Sequence, residues 1–75
     1  MNQFMIDFEA HVGLGPTRVA KLLGIAYVTY AQYKSGHRDL PEYHQCHLLA
    51  LWLIHDRGLM PQHLKDIANA PPVSR

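Results

Sequence analysis

Apolar residues in this chain recur at helical spacing, and glycine and proline punctuate the runs. Phe4, Met5 and Phe8, at i, i+1 and i+4, predict a first helix over Asn2 to His11. Gly13-Leu14-Gly15 interrupts it. Pro16 suits the first turn of the next helix, where a missing N–H has no intrahelical partner to lose. Val19, Ala20, Leu22 and Leu23 then make a short amphipathic helix stopped by Gly24. A third helix is predicted from about Ala26 to Lys34, ending at Ser35-Gly36. Pro41 opens a fourth that reaches about Asp56 and stops at Gly58, and a short fifth covers about Pro61 to Asn69 with Leu64 and Ile67. No segment alternates with period two, so the expected fold is all-α, a compact bundle of four to five helices. Residues 1–70 are expected to form one domain, and 71–75, with Pro71-Pro72, a disordered tail.

The third helix has an unusual outward face. On a 100° wheel Ala26, Tyr30 and Tyr33 fall on one side and are expected to pack inward. Tyr27, Val28, Ala31, Gln32 and Ser35 fall on the other, with Thr29 at the edge. That face carries no long charged side chain to keep it merely solvated. A small, chemically mixed helix face suits the DNA major groove, whose floor offers methyl groups and hydrogen-bonding edges. Gln32 matches the N6/N7 edge of adenine, Val28 and Ala31 match thymine methyls, and Tyr27 offers a hydroxyl.

Charge changes the picture through its distribution. The net charge is only +1. Between Ala10 and Arg38, however, lie Arg18, Lys21, Lys34 and Arg38 with no acidic residue, a local +4. The remainder holds Arg57, Lys65 and Arg75 against Asp7, Glu9, Asp39, Glu42, Asp56 and Asp66, a balance of −3. A basic patch on an acidic body orients a protein on a polyanion. The competing reading is an ordinary solvated surface helix. The short turn at Gly24 between the second and third helices favours a helix-turn-helix instead.

The stretch LGIAYVTYAQYKSGHRDLP resembles the Cro/lambda-repressor (XRE) helix-turn-helix family, whose pattern is roughly A-x-x-L-G-V-S-x-x-x-I-S-x-W-E-x-G-x-R-x-P. Ala20, Leu23, Gly24, Ile25, Gly36, Arg38 and Pro41 match it. Ala26 stands where the family has its capping Ser, Tyr30 and Tyr33 replace an aliphatic residue and a Trp, and Lys34 replaces Glu. One extra residue separates Arg38 from the proline. Within the family the segment Tyr33-Lys34-Ser35-Gly36 is similar to that of anti-CRISPR-associated phage repressors.

The resemblance implies a lambda-repressor-like transcriptional repressor, phage or mobile-element encoded and autoregulatory, that binds double-stranded DNA at a palindromic operator. It puts base contacts at Tyr27, Val28, Ala31 and Gln32, the same set the wheel selects. Phosphate contacts fall at Arg18, Tyr33 and Arg38, to which the charge pattern adds Lys21, Lys34 and His37. A protein-interaction module on the same scaffold, an antitoxin or an anti-CRISPR-type inhibitor, is the alternative that the near-zero net charge supports.

The fourth helix is apolar around most of its circumference. Tyr43, Cys46, Ala50, Leu53 and Ile54 form one face, expected to bury against the first three helices. Leu48, Leu51 and Trp52 point largely the other way and, with Leu64 from the fifth helix, are the expected interface of a homodimer. Such a dimer would set two recognition helices about 34 Å apart, one turn of DNA. A chain of 75 residues buries only about 60% of its unfolded surface, so association would also help its stability.

The remaining chemistry is sparse. Cys46 is the lone cysteine, which fits a reducing, cytosolic setting such as a bacterial host cell. The N-terminus lacks the pattern of a signal peptide and Leu48 to Ile54 is too short to span a bilayer, so no membrane role is expected. Six histidines include His44, His47 and His55 near Cys46. A closed zinc site needs four converging ligands, and this spacing does not supply them, so neither metal nor cofactor is expected. Only Ser35 and Ser74 offer serine nucleophiles, and no carboxylate–histidine pairing is evident. Catalysis is not expected.

Overall fold

Five helices follow one another in the computed structural model, which describes residues 1–69: α1 (Gln3–Val12), α2 (Pro16–Leu23), α3 (Tyr27–Ser35), α4 (Glu42–Asp56) and α5 (Gln62–Asn69). No strand occurs among the described residues, and the protein is all-α as the periodicity requires. The tail expected over 71–75 lies outside the described residues.

Local chemistry sets the helix ends. The Asn2 side chain accepts a hydrogen bond from the Met5 N–H at 3.1 Å and caps α1. Pro16 occupies the first turn of α2. The α2 terminus is a Schellman motif: Gly24 N–H donates to the Lys21 carbonyl and Ile25 N–H to the Ala20 carbonyl, both at 3.1 Å. Gly24 has φ 72°, a left-handed conformation that a side chain would strain. Ile25, just past the turn, packs on the core as the motif's hydrophobic plug.

α2 is the hub. It packs against α3, α4 and α5, while α1 bridges α3 and α4. The core holds Met5 and Phe8 of α1, Val19, Ala20, Leu22 and Leu23 of α2, Tyr30 and Tyr33 of α3, Leu48 and Leu51 of α4, and Ala68 of α5. Ala20 is buried where α2 meets its neighbours, and its small side chain lets the backbones approach closely.

α4 is turned the other way from the sequence expectation. Leu48 is 0% exposed and Leu51 is buried, and Trp52 and Leu64 are half-buried against the core. Leu48 and Leu51, expected at a dimer interface, are instead taken up in the monomer core, and Trp52 and Leu64 pack against it with part of their surface still exposed. The physical cause is the Trp52 indole. It stacks on Phe4 (6.1 Å between centroids, 11° between planes) and on His11 (4.4 Å, 16°), and lies tilted against Phe8 at 6.0 Å. Burying that aromatic cluster rotates Tyr43, Cys46, Ala50 and Leu53 to the outside.

Candidate nucleic-acid interface

α2 and α3 meet across the three-residue turn Gly24-Ile25-Ala26. Ala26 is the N-cap of α3 (φ −66°, ψ 148°) and contributes no side-chain cap, as its lack of a hydroxyl dictates. It is exposed rather than turned inward, because the residue flanking the first turn lies outside the helical wheel. Tyr30 and Tyr33 do pack inward. Their burial fixes the rotation of α3 and presents its opposite face.

On that face Tyr27 is 52% and Val28 66% exposed, Ala31 and Gln32 are half-buried, and Ser35 is exposed. Arg18 is exposed on α2, and Lys21 is half-buried there. A shallow depression lined by Met1, Pro16, Tyr27, Ala31, Lys34 and Ser35 runs beside the face.

The C-terminal end of α3 is organised by Gln32. Its carbonyl accepts from the Arg38 backbone N–H at 3.2 Å and from the Ser35 hydroxyl at 3.2 Å. Its side-chain oxygen accepts from Arg38 Nη1 at 3.4 Å. The Arg38 guanidinium sits 5.2 Å from the Tyr33 ring centroid, within cation–π range. His37 is exposed beside it. Gly36, at φ 88°, makes the sharp exit, and a Cβ there would stand 3.3 Å from the Met1 nitrogen. Asn2 N–H donates to the Lys34 carbonyl at 2.8 Å, so the start of α1 is laid against the end of α3.

Two of the residues expected at phosphates are engaged within the fold. Tyr33 is a core residue, 5% exposed, and serves as the platform under Arg38. Lys34 is spent within the fold: its ammonium donates to Glu9 Oε1 at 2.8 Å. Glu9 also accepts from the Tyr30 hydroxyl at 2.5 Å. Burial, and after it the Glu9 carboxylate, push the Tyr30 phenol well above its ordinary range. Glu9 is the residue that sequence reasoning missed. It lies 21 positions before Tyr30 and 25 before Lys34, so no local spacing announces it. The local +4 is thereby reduced, while Arg18 on α2 and Arg38 just past α3 remain exposed.

A carboxylate–histidine pair that the sequence did not suggest joins α1 to α4: His11 Nε2 contacts Asp56 Oδ1. The His11 ring is stacked on Trp52 and edge-on to His55, and no serine or cysteine hydrogen-bonds to it among the described residues. It ties α1 to α4. Among the described residues no three His, Cys, Asp or Glu side chains group as metal ligands, and no helix is long and apolar enough to cross a membrane. Neither the family models, nor the curated proteins, nor the solved structures give a match to this chain.

Proposed function

We propose that the protein is a sequence-specific DNA-binding transcriptional regulator, a repressor acting as a homodimer on a palindromic operator. The observation that supports this best is the outward face of α3. Tyr27, Val28, Ala31 and Gln32 lie together on it, free of acidic side chains, with Arg38 held to Gln32 at its C-terminal end and Arg18 exposed on α2. Laid in a major groove, such a helix offers Gln32 to an adenine edge and Val28 and Ala31 to thymine methyls. Arg18 and Arg38 anchor the phosphates. The resemblance of Ala20 to Pro41 to Cro/lambda-repressor regulators points the same way, and extends the reading to an autoregulatory phage or mobile-element gene in a bacterial host.

The test is binding of the purified protein to DNA fragments from upstream of its own gene, measured at several salt concentrations. Phosphate contacts release counterions, so affinity should fall steeply as salt rises. Absence of salt-sensitive binding to every fragment rejects the reading.

One observation favours a second reading. Lys34 is neutralised by Glu9, and Tyr27 and Val28 remain widely exposed apolar groups. A protein-interaction module of the antitoxin or anti-CRISPR-inhibitor type would use the same face with less charge. It predicts a partner protein bound through Tyr27 and Val28 with weak salt dependence.

A further inference from the structure

α4 carries a second apolar stripe that the monomer leaves uncovered. Tyr43 is 69%, Leu49 46% and Leu53 52% exposed, and Cys46 and Ala50 are exposed beside them. On a 100° wheel, Glu42, Cys46, Leu49, Ala50, Leu53 and Arg57 fall within about a third of the circumference. That arc lies diametrically opposite the side that buries Leu48, Leu51 and Trp52. A helix apolar on both sides needs cover on both.

The ends of the stripe identify the cover. Glu42 stands at its N-terminal end and Arg57 at its C-terminal end, about 22 Å apart along the axis at 1.5 Å per residue. Neither is part of the ion pairs His11–Asp56 and Lys34–Glu9 that join helices among the described residues. Turned end for end about a point between Leu49 and Ala50, the stripe becomes its own complement. Glu42 then faces Arg57 of a second copy, Cys46 faces Leu53, and Leu49 faces the small Ala50. Charge opposes charge and large opposes small, which is the self-complementarity of a two-fold contact.

We propose that two copies of this chain pair through antiparallel α4 helices, centred between Leu49 and Ala50, with Glu42 of each copy against Arg57 of the other. This assigns a new interface to the dimer of the reading above, and it stands without the DNA component of that reading. Measurements made without DNA therefore keep the two separate.

The register makes a covalent prediction. Cys46 of one copy and Cys46 of the other are offset by about 10 Å along the axis at 1.5 Å per residue, beyond the ~7 Å Cα separation that a disulfide tolerates. Cys46 and position 53 lie side by side. Under a mild oxidant that accepts the two electrons and two protons of each thiol pair, Leu53→Cys should cross-link into dimers that a reductant releases. The unsubstituted chain, and the Cys46→Ser, Leu53→Cys double variant, should not.

Sedimentation of the reduced proteins gives the second arm. Glu42→Arg and Arg57→Glu should each raise the dimer Kd about tenfold, since two symmetric pairs become repulsive, and the double swap should restore it. Far-UV circular dichroism of every variant should show unchanged helix content, because all these positions are exposed. A monomeric wild-type chain at its highest soluble concentration overturns the pairing. So does cross-linking of Cys46 to itself, or failure of the double swap to rescue.

Discussion

The Tyr30 hydroxyl donates to Glu9 Oε2 at 2.5 Å from a ring that is fully buried, and the same carboxylate holds Lys34 through its other oxygen. One acidic residue of α1 thus ties down two side chains of α3, adding to the hold that the buried Tyr30 and Tyr33 rings have on its rotation. The cluster is structural, yet it decides which side chains the candidate recognition face presents.

Alkaline pH tests this contact. The Tyr30 phenol is raised above its ordinary value near 10 by burial and by Glu9. The folded chain therefore keeps the proton while the unfolded chain releases it. Stability from this group is fully present below about pH 10 and falls as pH rises beyond it, by up to about 1.4 kcal/mol per unit. Tyr30→Phe should cost about 1.5–3 kcal/mol at pH 8, as loss of a hydrogen bond to a charged group. The cost should shrink above pH 10. Denaturation midpoints for both proteins from pH 8 to 11 check it, and parallel profiles would refute the assignment.

Lys34 separates structure from binding. With its ammonium on Glu9 it ties α1 to α3. Lys34→Met should lower the thermal midpoint and leave the slope of log affinity against log salt unchanged for any DNA that binds. A slope reduced by about one would return Lys34 to the phosphate contacts.

The facing of α3 could be read from the chain and that of α4 could not. In α3 Tyr30 and Tyr33 share one side of the wheel, while Tyr27 stands opposite among the small or polar Val28, Ala31, Gln32 and Ser35, so the phase that buries two rings is preferred. The glycine turn and the buried Val19, Ala20, Leu22 and Leu23 of α2 were equally legible, because glycine and short-range spacing carry them. α4 offers apolar residues on opposite sides, Tyr43, Cys46, Ala50 and Leu53 against Leu48, Leu51 and Trp52. Periodicity alone ranks those phases nearly equal. What chooses is Trp52 stacking on Phe4 and His11, some forty or more positions away. Glu9 was hidden for the same reason.

Leu48→Ala measures the corrected orientation. Leu48 is fully buried, so its truncation should cost about 2–5 kcal/mol as transfer and cavity terms combine. The loss should appear at every protein concentration. A mutation confined to an interface would instead lose its effect on dilution, where the dimer is already dissociated.

Ala26→Ser restores a missing cap. The extended backbone at Ala26 already has N-cap geometry, and a serine hydroxyl there can accept from the N–H of Tyr27's first turn at Val28 or Thr29. The gain should be about 1 kcal/mol, or a rise of about 4–8 °C in Tm for a domain of this size. An unchanged melting curve would mean that solvent already satisfies those donors.

Gln32 and Arg38 should read DNA as a coupled pair. Gln32 accepts from Arg38 through its backbone carbonyl and through its side chain, while Tyr33 supports the guanidinium from below. Arg38→Ala should weaken all sequences alike and reduce the salt slope by about one, as loss of a phosphate contact does. Gln32→Ala should relax preference at one base pair by about 1–3 kcal/mol. Because removing Gln32's amide also unmoors Arg38, the double variant should lose less than the two single losses combined, by 0.5 kcal/mol or more on the usual scale for contacting residues. Affinities of the four proteins for operator and scrambled DNA complete the cycle. Strict additivity would show that Arg38 is placed by Tyr33 and the backbone alone, and identical phenotypes for the two single variants would remove the distinction between base reader and phosphate anchor.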